Sequence, residues 1–248
     1  MVRSLLVRGM IAGLIAGLLY FLFAYLFGEA SVDAAIAYEE QAAAAAREAS
    51  NEAPLVSRGI QATIGLAAAA LIYGAALGGV FALVYSAVYG RIGRLTPRET
   101  AAVLALVGFV AVIVVPFLKY PASPPASSID GTIGSRTGLY LAMIIFSVVL
   151  AAGAILLGRR LLARFGTRNA TLLAAGAYVA AAGIVGYLMP VVAETPADFP
   201  ATVLYQFRLA SFGGQLVLWT ALGLVFGALI DGSSRRSGSR PSIDPASL

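Results

Sequence analysis

Whatever chemistry this chain performs is done without histidine and without cysteine, because its sequence contains neither. Their absence removes the commonest ligands for zinc, copper, nickel and cobalt, along with thiol redox chemistry and any disulfide framework. It also removes the base of a nucleophile–histidine relay and the ligands of an HExxH zinc site. No GxxxxGK[ST] stretch is present to cradle phosphates, so the chain does not itself hydrolyse ATP. The polar residues left for a site are Glu29, Asp33, Arg58, Gln61, Lys119, Tyr120, Arg136, Glu194, Arg208 and Gln215. The acids Glu29, Asp33 and Glu194 are suited to attract a cation, and the arginines to orient those acids by ion pairing. Gln61 and Gln215 lie inside apolar runs, where an amide is costly unless it is paired or faces the bundle or a wet cavity. A second reading stands beside this one: the same ions clamp neighbouring helices together and bind nothing. The adjacent carboxylates Glu39 and Glu40 sit in an Ala-rich segment with no sign of a substrate pocket, so an enzyme is not expected.

The elements that must position these residues are apolar. Of 248 residues 60% are hydrophobic and 12% charged, where soluble domains sit nearer half and a quarter, so lipid is the expected solvent. Six runs are long enough to cross a hydrocarbon core of roughly 30 Å, which takes about 20 residues. They lie at about 9–27, 60–89, 99–118, 137–158, 170–190 and 209–230. The first is too long for a signal-peptide core and carries Phe23, Tyr25 and Phe27 where small residues would precede a cleavage site, so it is read as a retained anchor. One set of connections holds Arg3, Arg8, Arg91, Arg94, Arg98, Arg159, Arg160, Arg164, Arg168, Arg235, Arg236 and Arg240. The other holds Arg47, Arg58, Lys119, Arg136 and Arg208 together with 9 of the 12 acids. Lys and Arg are retained in the cytoplasm, so the first set faces inward and both termini lie inside. The net charge of +5 follows from this topology; no basic patch interleaved with stacking aromatics points to nucleic acid.

The expectation is therefore an all-α integral membrane protein with one transmembrane domain over residues 1–230. Its six helices pair as three hairpins, and 231–248 form a disordered cytoplasmic tail rich in Ser, Gly, Arg and Pro. Thr96-Pro97-Arg98-Glu99 has the form of a capping box with proline at the first helical position. Pro116 and Pro190 mark kinks or exits near the outer helix ends. Residues 33–50 are Ala-rich and acidic, hence helix-forming but too charged to span, and are expected as an outer or interfacial helix. Each returning helix opens on an arginine (Arg58, Arg136, Arg208), which suggests a weak parallel repeat, although an arginine snorkelling at each interface would look the same. Gly9, Gly13 and Gly17, Gly74 with Gly78, and Gly223 with Gly227 recur at i, i+4, a spacing that lets helix backbones approach closely.

The stretches YFLFAYLFGEASVDAAIAYEE, VSRGIQ, YGAALGGVFALVY, PFLKYPASPP, TIGSRTGLY, NATLL and FPATVLYQFRLASFGGQLVLWTALGLVFGAL resemble the CbtA family, the predicted cobalt transporter subunits of bacteria. The resemblance covers nearly the whole chain up to about Asp231. It implies a multi-pass protein of the bacterial cytoplasmic membrane, with Co2+ as substrate and no intrinsic cofactor. It also implies a partner like CbtB, a small one-helix protein whose His-rich end would supply metal ligands. This chain alone offers a divalent ion carboxylates, carbonyls and the thioethers of Met10, Met143 and Met189. Such oxygens suit Mg2+, Ca2+ or Mn2+ better than they select Co2+. Three readings follow. The first is a transport subunit, with Glu29, Asp33 and Glu194 drawing the metal toward Gln61 and Gln215. The second is a non-transporting scaffold or accessory subunit bound to other membrane subunits. The third is a transporter of an organic or anionic solute, with Arg58, Arg136 and Arg208 as its binding ring.

Overall fold

In lipid every backbone polar group must find a partner within the protein, which leaves an apolar chain little choice but helix. The computed structural model of the chain, which describes residues 2–46, 56–91, 93, 95–125, 127, 133–192 and 195–238, is built of helices. In chain order these are α1 (Val2–Phe27) and α2 (Glu29–Ala46), then α3 (Arg58–Val88) and α4 (Pro97–Lys119). A long helical stretch, Ile133–Leu188, follows. Among the described residues five helices are long and apolar enough to cross a membrane; α2 is not one of them.

The stretch Ile133–Leu188 is not a single rod. Gly166 takes φ 70° and ψ 169°, a conformation open to a residue without Cβ, and splits it into α5 (133–165) and α6 (167–188). The halves fold back on each other. A Cβ at Gly158 would lie 3.2 Å from the Ala174 methyl, and one at Gly186 would lie 3.8 Å from Met143 Cε. The Ser147 and Tyr178 hydroxyls are hydrogen-bonded at 2.7 Å. These partners are spaced on either side of the break so that α5 and α6 form an antiparallel hairpin. The last helix is α7 (Ala201–Gly238).

Glycine decides which helices touch. α1 lies between α3 and α7, and α7 also packs on α4. Gly9, Gly13 and Gly17 of α1 face Gly78, Gly74 and Ala70 of α3: a Cβ on Gly17 would sit 2.5 Å from the Ala70 carbonyl oxygen, and on Gly9 or Gly13 it would strike the carbonyls of Gly78 or Gly74. Lipid tails give helices no hydrophobic reason to associate, so this close backbone approach, with its dispersion gain, is what joins them. The α4–α7 seam uses the same device, with Gly223 against Ala105, Gly227 against Arg98 and Gly108 beneath the Trp219 ring. Between the seams Phe81 and Tyr85 of α3 meet Phe226 of α7 edge to face at 5.2 and 5.1 Å, beside the fully buried Leu218 and Leu222.

The capping box is present: Glu99 N donates to Thr96 Oγ1 (3.2 Å) and Thr96 N to Glu99 Oε2 (2.8 Å). Two helices contain a wider π turn, Gln61–Gly65 in α3 and Val110–Val114 in α4. The second immediately precedes Pro116; there the Val115 amide bonds back to the Val110 carbonyl, the longer ring that a helix uses where proline removes a donor. Several boundaries differ from the sequence reading: α5 and α6 run up to Gly166 from both sides where a connection over 159–169 is expected, and α7 starts at Ala201 and not at 209, which puts Arg208 two turns inside it. α1 starts at Val2, before the apolar run, and α2 starts at Glu29 and not at 33; its expected end at 47–50 lies outside the described residues. α7 continues through Gly238, into the stretch from Asp231 onward expected as a disordered tail. A helix already nucleated and packed adds turns at the small cost of residue propensity alone, which Ser and Arg do not prevent. Residues 239–248 lie outside the described residues.

The seam generates a test. Gly13→Leu is expected to lower stability by about 3 kcal/mol or more, because the side chain meets backbone that has nowhere to move. Gly153→Leu, at a position facing open space, should stay within about 0.5 kcal/mol of the parent. Thermal unfolding of the two variants in detergent micelles measures the difference, and equal midpoints would show that the seam is not a tight contact.

Candidate functional site: the acidic end of the bundle

α1 passes into α2 at Gly28, whose amide bonds to the Ala24 carbonyl (2.7 Å) and whose own carbonyl accepts from Ser31 Oγ (2.7 Å). The corner puts Glu29 and Asp33 one turn apart on the same face of α2. Arg58, which opens α3, reaches both: Nη2 pairs with Glu29 Oε2, and Nε donates to Asp33 Oδ1 at 2.9 Å. The Glu29 side chain is 16% exposed and that of Asp33 62%, so one carboxylate is shielded and the other open.

The segment after α4 is proline-rich and cannot bond its own carbonyls in a helix or sheet, so side chains do so. Arg136 Nη2 at the start of α5 donates to the Pro121 carbonyl (2.7 Å), and Arg208 Nε of α7 to the Ala122 carbonyl (3.2 Å). The Tyr120 hydroxyl donates to the Pro190 carbonyl (2.7 Å), tying the end of α4 to the exit of α6. Burial of Tyr120 pushes its phenol above the ordinary value. Lys119 Nζ stands 5.8 Å from the Tyr120 ring centroid, within reach of a cation–π contact. Pro124 and Ser127 are fully buried, and the Ser127 hydroxyl donates to the Pro124 carbonyl (2.7 Å). α2 packs alongside: the Tyr38 ring is edge-on to Phe199 at 4.9 Å. Hydrogen bonding to Asp198 holds the Tyr38 phenol above its ordinary value.

The two amides part company. Gln61 is exposed and donates from Nε2 to the Val56 carbonyl (2.9 Å). It therefore does not face the bundle as its apolar neighbours suggested; the unbonded carbonyl just ahead of α3 satisfies it where it stands. Gln215 sits deeper, half-buried on α7, with Oε1 buried and lacking a hydrogen-bond partner. Tyr73 of α3 is a neighbour of the Gln215 side chain, a proximity missed by sequence reasoning, for which a lone tyrosine in LIYGAAL is the only signal. Glu194 lies outside the described residues.

The structure thus brings Glu29, Asp33 and Arg58 together, joins Arg136 and Arg208 through consecutive carbonyls of one loop, and sets Lys119 beside Tyr120. Among the described residues no three side chains of the His, Cys, Asp and Glu types gather to hold a metal ion. Two carboxylates against one guanidinium leave the α1–α3 corner with a net negative charge. Such a corner can attract a hydrated cation, but it lacks the six or more oxygens of a dehydrating cage.

The model of a family described as "Probable cobalt transporter subunit (CbtA)" matches residues 2–231 of the chain. No curated protein and no solved structure matches it.

The unequal burial of the two acids ranks their variants. Glu29→Gln leaves Arg58 without its shielded partner and is expected to cost about 1–2 kcal/mol, whereas Asp33→Asn, open to solvent, should cost under about 0.5 kcal/mol. Thermal midpoints in detergent at low salt give the order; a larger loss for Asp33→Asn would contradict it.

Proposed function

The chain belongs to the CbtA family, and from that membership we propose that it is the membrane subunit through which a transporter carries divalent cobalt across the bilayer. The match over residues 2–231 is the observation that carries this reading, since it takes in every helix described above but the last turns of α7. The family is one of transporter subunits, and we assign the chain no catalytic reaction.

In this reading α1, α3, α4, α5, α6 and α7 each cross the membrane, making three hairpins. A straight helix over Ile133–Leu188 would be about 84 Å long, well beyond a hydrocarbon core of roughly 30 Å, so the break at Gly166 is best used as a turn between two crossings. The arginine-rich connections and both termini then lie in the cytoplasm, and the acidic end faces outward from a bacterial cytoplasmic membrane. Co2+ arrives at the acidic end, drawn by Glu29, Asp33 and Glu194. Arg58 holds the first two in place, while Lys119, Tyr120, Arg136 and Arg208 hold the loop beside them and Gln61 caps α3. Gln215 lies further along the same route. Because the chain has no imidazole or thiolate, ligands selective for cobalt come from a partner subunit, a small one-helix protein with a His-rich end like CbtB. The anion reading has less support: Arg58 is committed to two acids, and Arg136 and Arg208 each donate to a loop carbonyl.

Two measurements bear on this. Co2+ accumulation is expected to fall at least fivefold in cells expressing Glu29→Ala with Glu194→Ala beside the partner; unchanged accumulation removes both acids from the mechanism. A fluorescent protein fused after Leu248 should fluoresce, and a periplasm-dependent phosphatase at the same point should stay inactive. The opposite pattern would reverse the topology.

A further inference from the structure

The α5–α6 hairpin ends in an unbalanced charge. Between Asp130 and Glu194 the sequence has no acidic residue, yet Arg159, Arg160, Arg164 and Arg168 crowd around the turn. All four are exposed, and among the described residues none of them enters a salt bridge. Arg164 lies over the ring of its neighbour Phe165, at 5.3 Å. Elsewhere acids accompany such arginines: Glu99 follows Arg98, and Asp231 precedes Arg235.

The hairpin gathers these guanidiniums. Gly158 lies against Ala174, which centres the turn on Gly166, so Arg164 and Arg168 stand level across it. Arg160 is one turn before Arg164 on the same face of α5, a like-charge spacing that costs helix stability unless an anion neutralises it. The same face continues toward the membrane as apolar surface. Val149, Gly153, Leu156, Arg160 and Arg164 follow one another at spacings of three and four, and all are exposed. A helix over 137–158 is about 33 Å long and fills a hydrocarbon core of roughly 30 Å, so Arg159 and Arg160 fall at the level of the lipid phosphates.

A soluble anion would use the arginines alone. A phospholipid matches the whole strip, with its chains along Val149 and Leu156 and its phosphate at the arginines. The guanidinium fork fits phosphate oxygens, and a basic cluster directly beside a spanning helix attracts anionic headgroups. We propose that the tip of the α5–α6 hairpin is a binding site for an anionic phospholipid, held at its phosphate by Arg160, Arg164 and Arg168 and at its chains by the exposed strip of α5. This goes beyond the transport reading and takes from it only that α5 and α6 both cross the bilayer.

Full-length chain purified in detergent is offered phosphatidylglycerol or phosphatidylcholine with the same acyl chains, and native mass spectrometry counts the lipid retained. Phosphatidylglycerol is expected to be retained at least tenfold more. Arg160→Gln with Arg164→Gln and Arg168→Gln should abolish the preference. Arg164→Gln alone should lower it about fivefold, the share of one basic side chain at an anionic surface, and decides the matter if the triple variant does not elute as a monodisperse species. Arg3→Gln with Arg91→Gln, two exposed arginines outside the hairpin, should leave the preference in place. An equal loss in that control would reduce the site to general attraction by positive charge and overturn it, as would a wild-type chain that retains both lipids alike. Displacement of phosphatidylglycerol by millimolar inorganic phosphate would assign the arginines to a soluble anion and overturn the lipid. Co2+ uptake does not enter the readout, so a chain that carries no cobalt would refute the transport reading and leave this site standing.

Discussion

The backbone contact between α1 and α3 sets the register for the whole acidic end. Gly9 against Gly78, Gly13 against Gly74 and Gly17 against Ala70 step by four residues in opposite directions. Three more steps of the same size bring Glu29 opposite Arg58, and there the ion pair is found. The pair is thus placed by packing that has no polar atoms in its side chains. Coulomb attraction at a partly exposed site is too weak to fix two helices by itself; the glycine seam fixes them, and the charges settle into the result. α1 serves α7 as well, since its Tyr20 and Phe23 rings fill the space above Gly214 and Gly213. Small residues on one helix thereby hold rings on another, and both partners of α1 inherit one register.

The acidic end also has to accommodate chain that is not helical. Irregular backbone at this level is tolerated only when buried in protein or lining water. The loop after α4 meets that condition through Arg136, Arg208 and Tyr120, which bind carbonyls of that loop and of the exit of α6. Arginine suits the task because it stays charged and presents several donors in a fixed fork. Arg58 and Arg136 stand at the starts of their helices and Arg208 two turns into α7, and their partners differ: two acids for Arg58, loop carbonyls for the other two.

Much of this could be read from residue order alone. The apolar runs, the capping box at Thr96 and Glu99, and the glycine spacing are local signals, and each reports its own element directly. The missing information is relational. Gly9, Gly13 and Gly17 announce a close contact without saying that α3 is the partner. Gly166 looks like any loop glycine in an arginine-rich connection, and only its positive φ shows that helix runs up to it on both sides. The π turns leave no recognisable pattern, although Pro116 hints at the second. Gln61 and Gln215 look alike in sequence, as amides in apolar runs. They differ because a bare carbonyl waits at Val56 for Gln61, whereas Gln215 sits deeper with Oε1 buried and without a hydrogen-bond partner.

The donor chemistry bears on why such a chain would act as a subunit. Selecting Co2+ over Mg2+ requires ligands softer than oxygen, and dehydrating either ion requires a dense, rigid set of them. This sequence has no histidine or cysteine, and its described acids do not gather in threes. A bundle built this way can attract a hydrated ion at its acidic corner, where two carboxylates stand against one guanidinium. It cannot discriminate strongly by coordination. In the proposed reading, discrimination falls to a second chain that carries imidazole, and the apolar bundle supplies the route. Such a division would match the physics of the bilayer: closely packed glycine seams make a rigid bundle, in which flexible, protonatable ligands are hard to place.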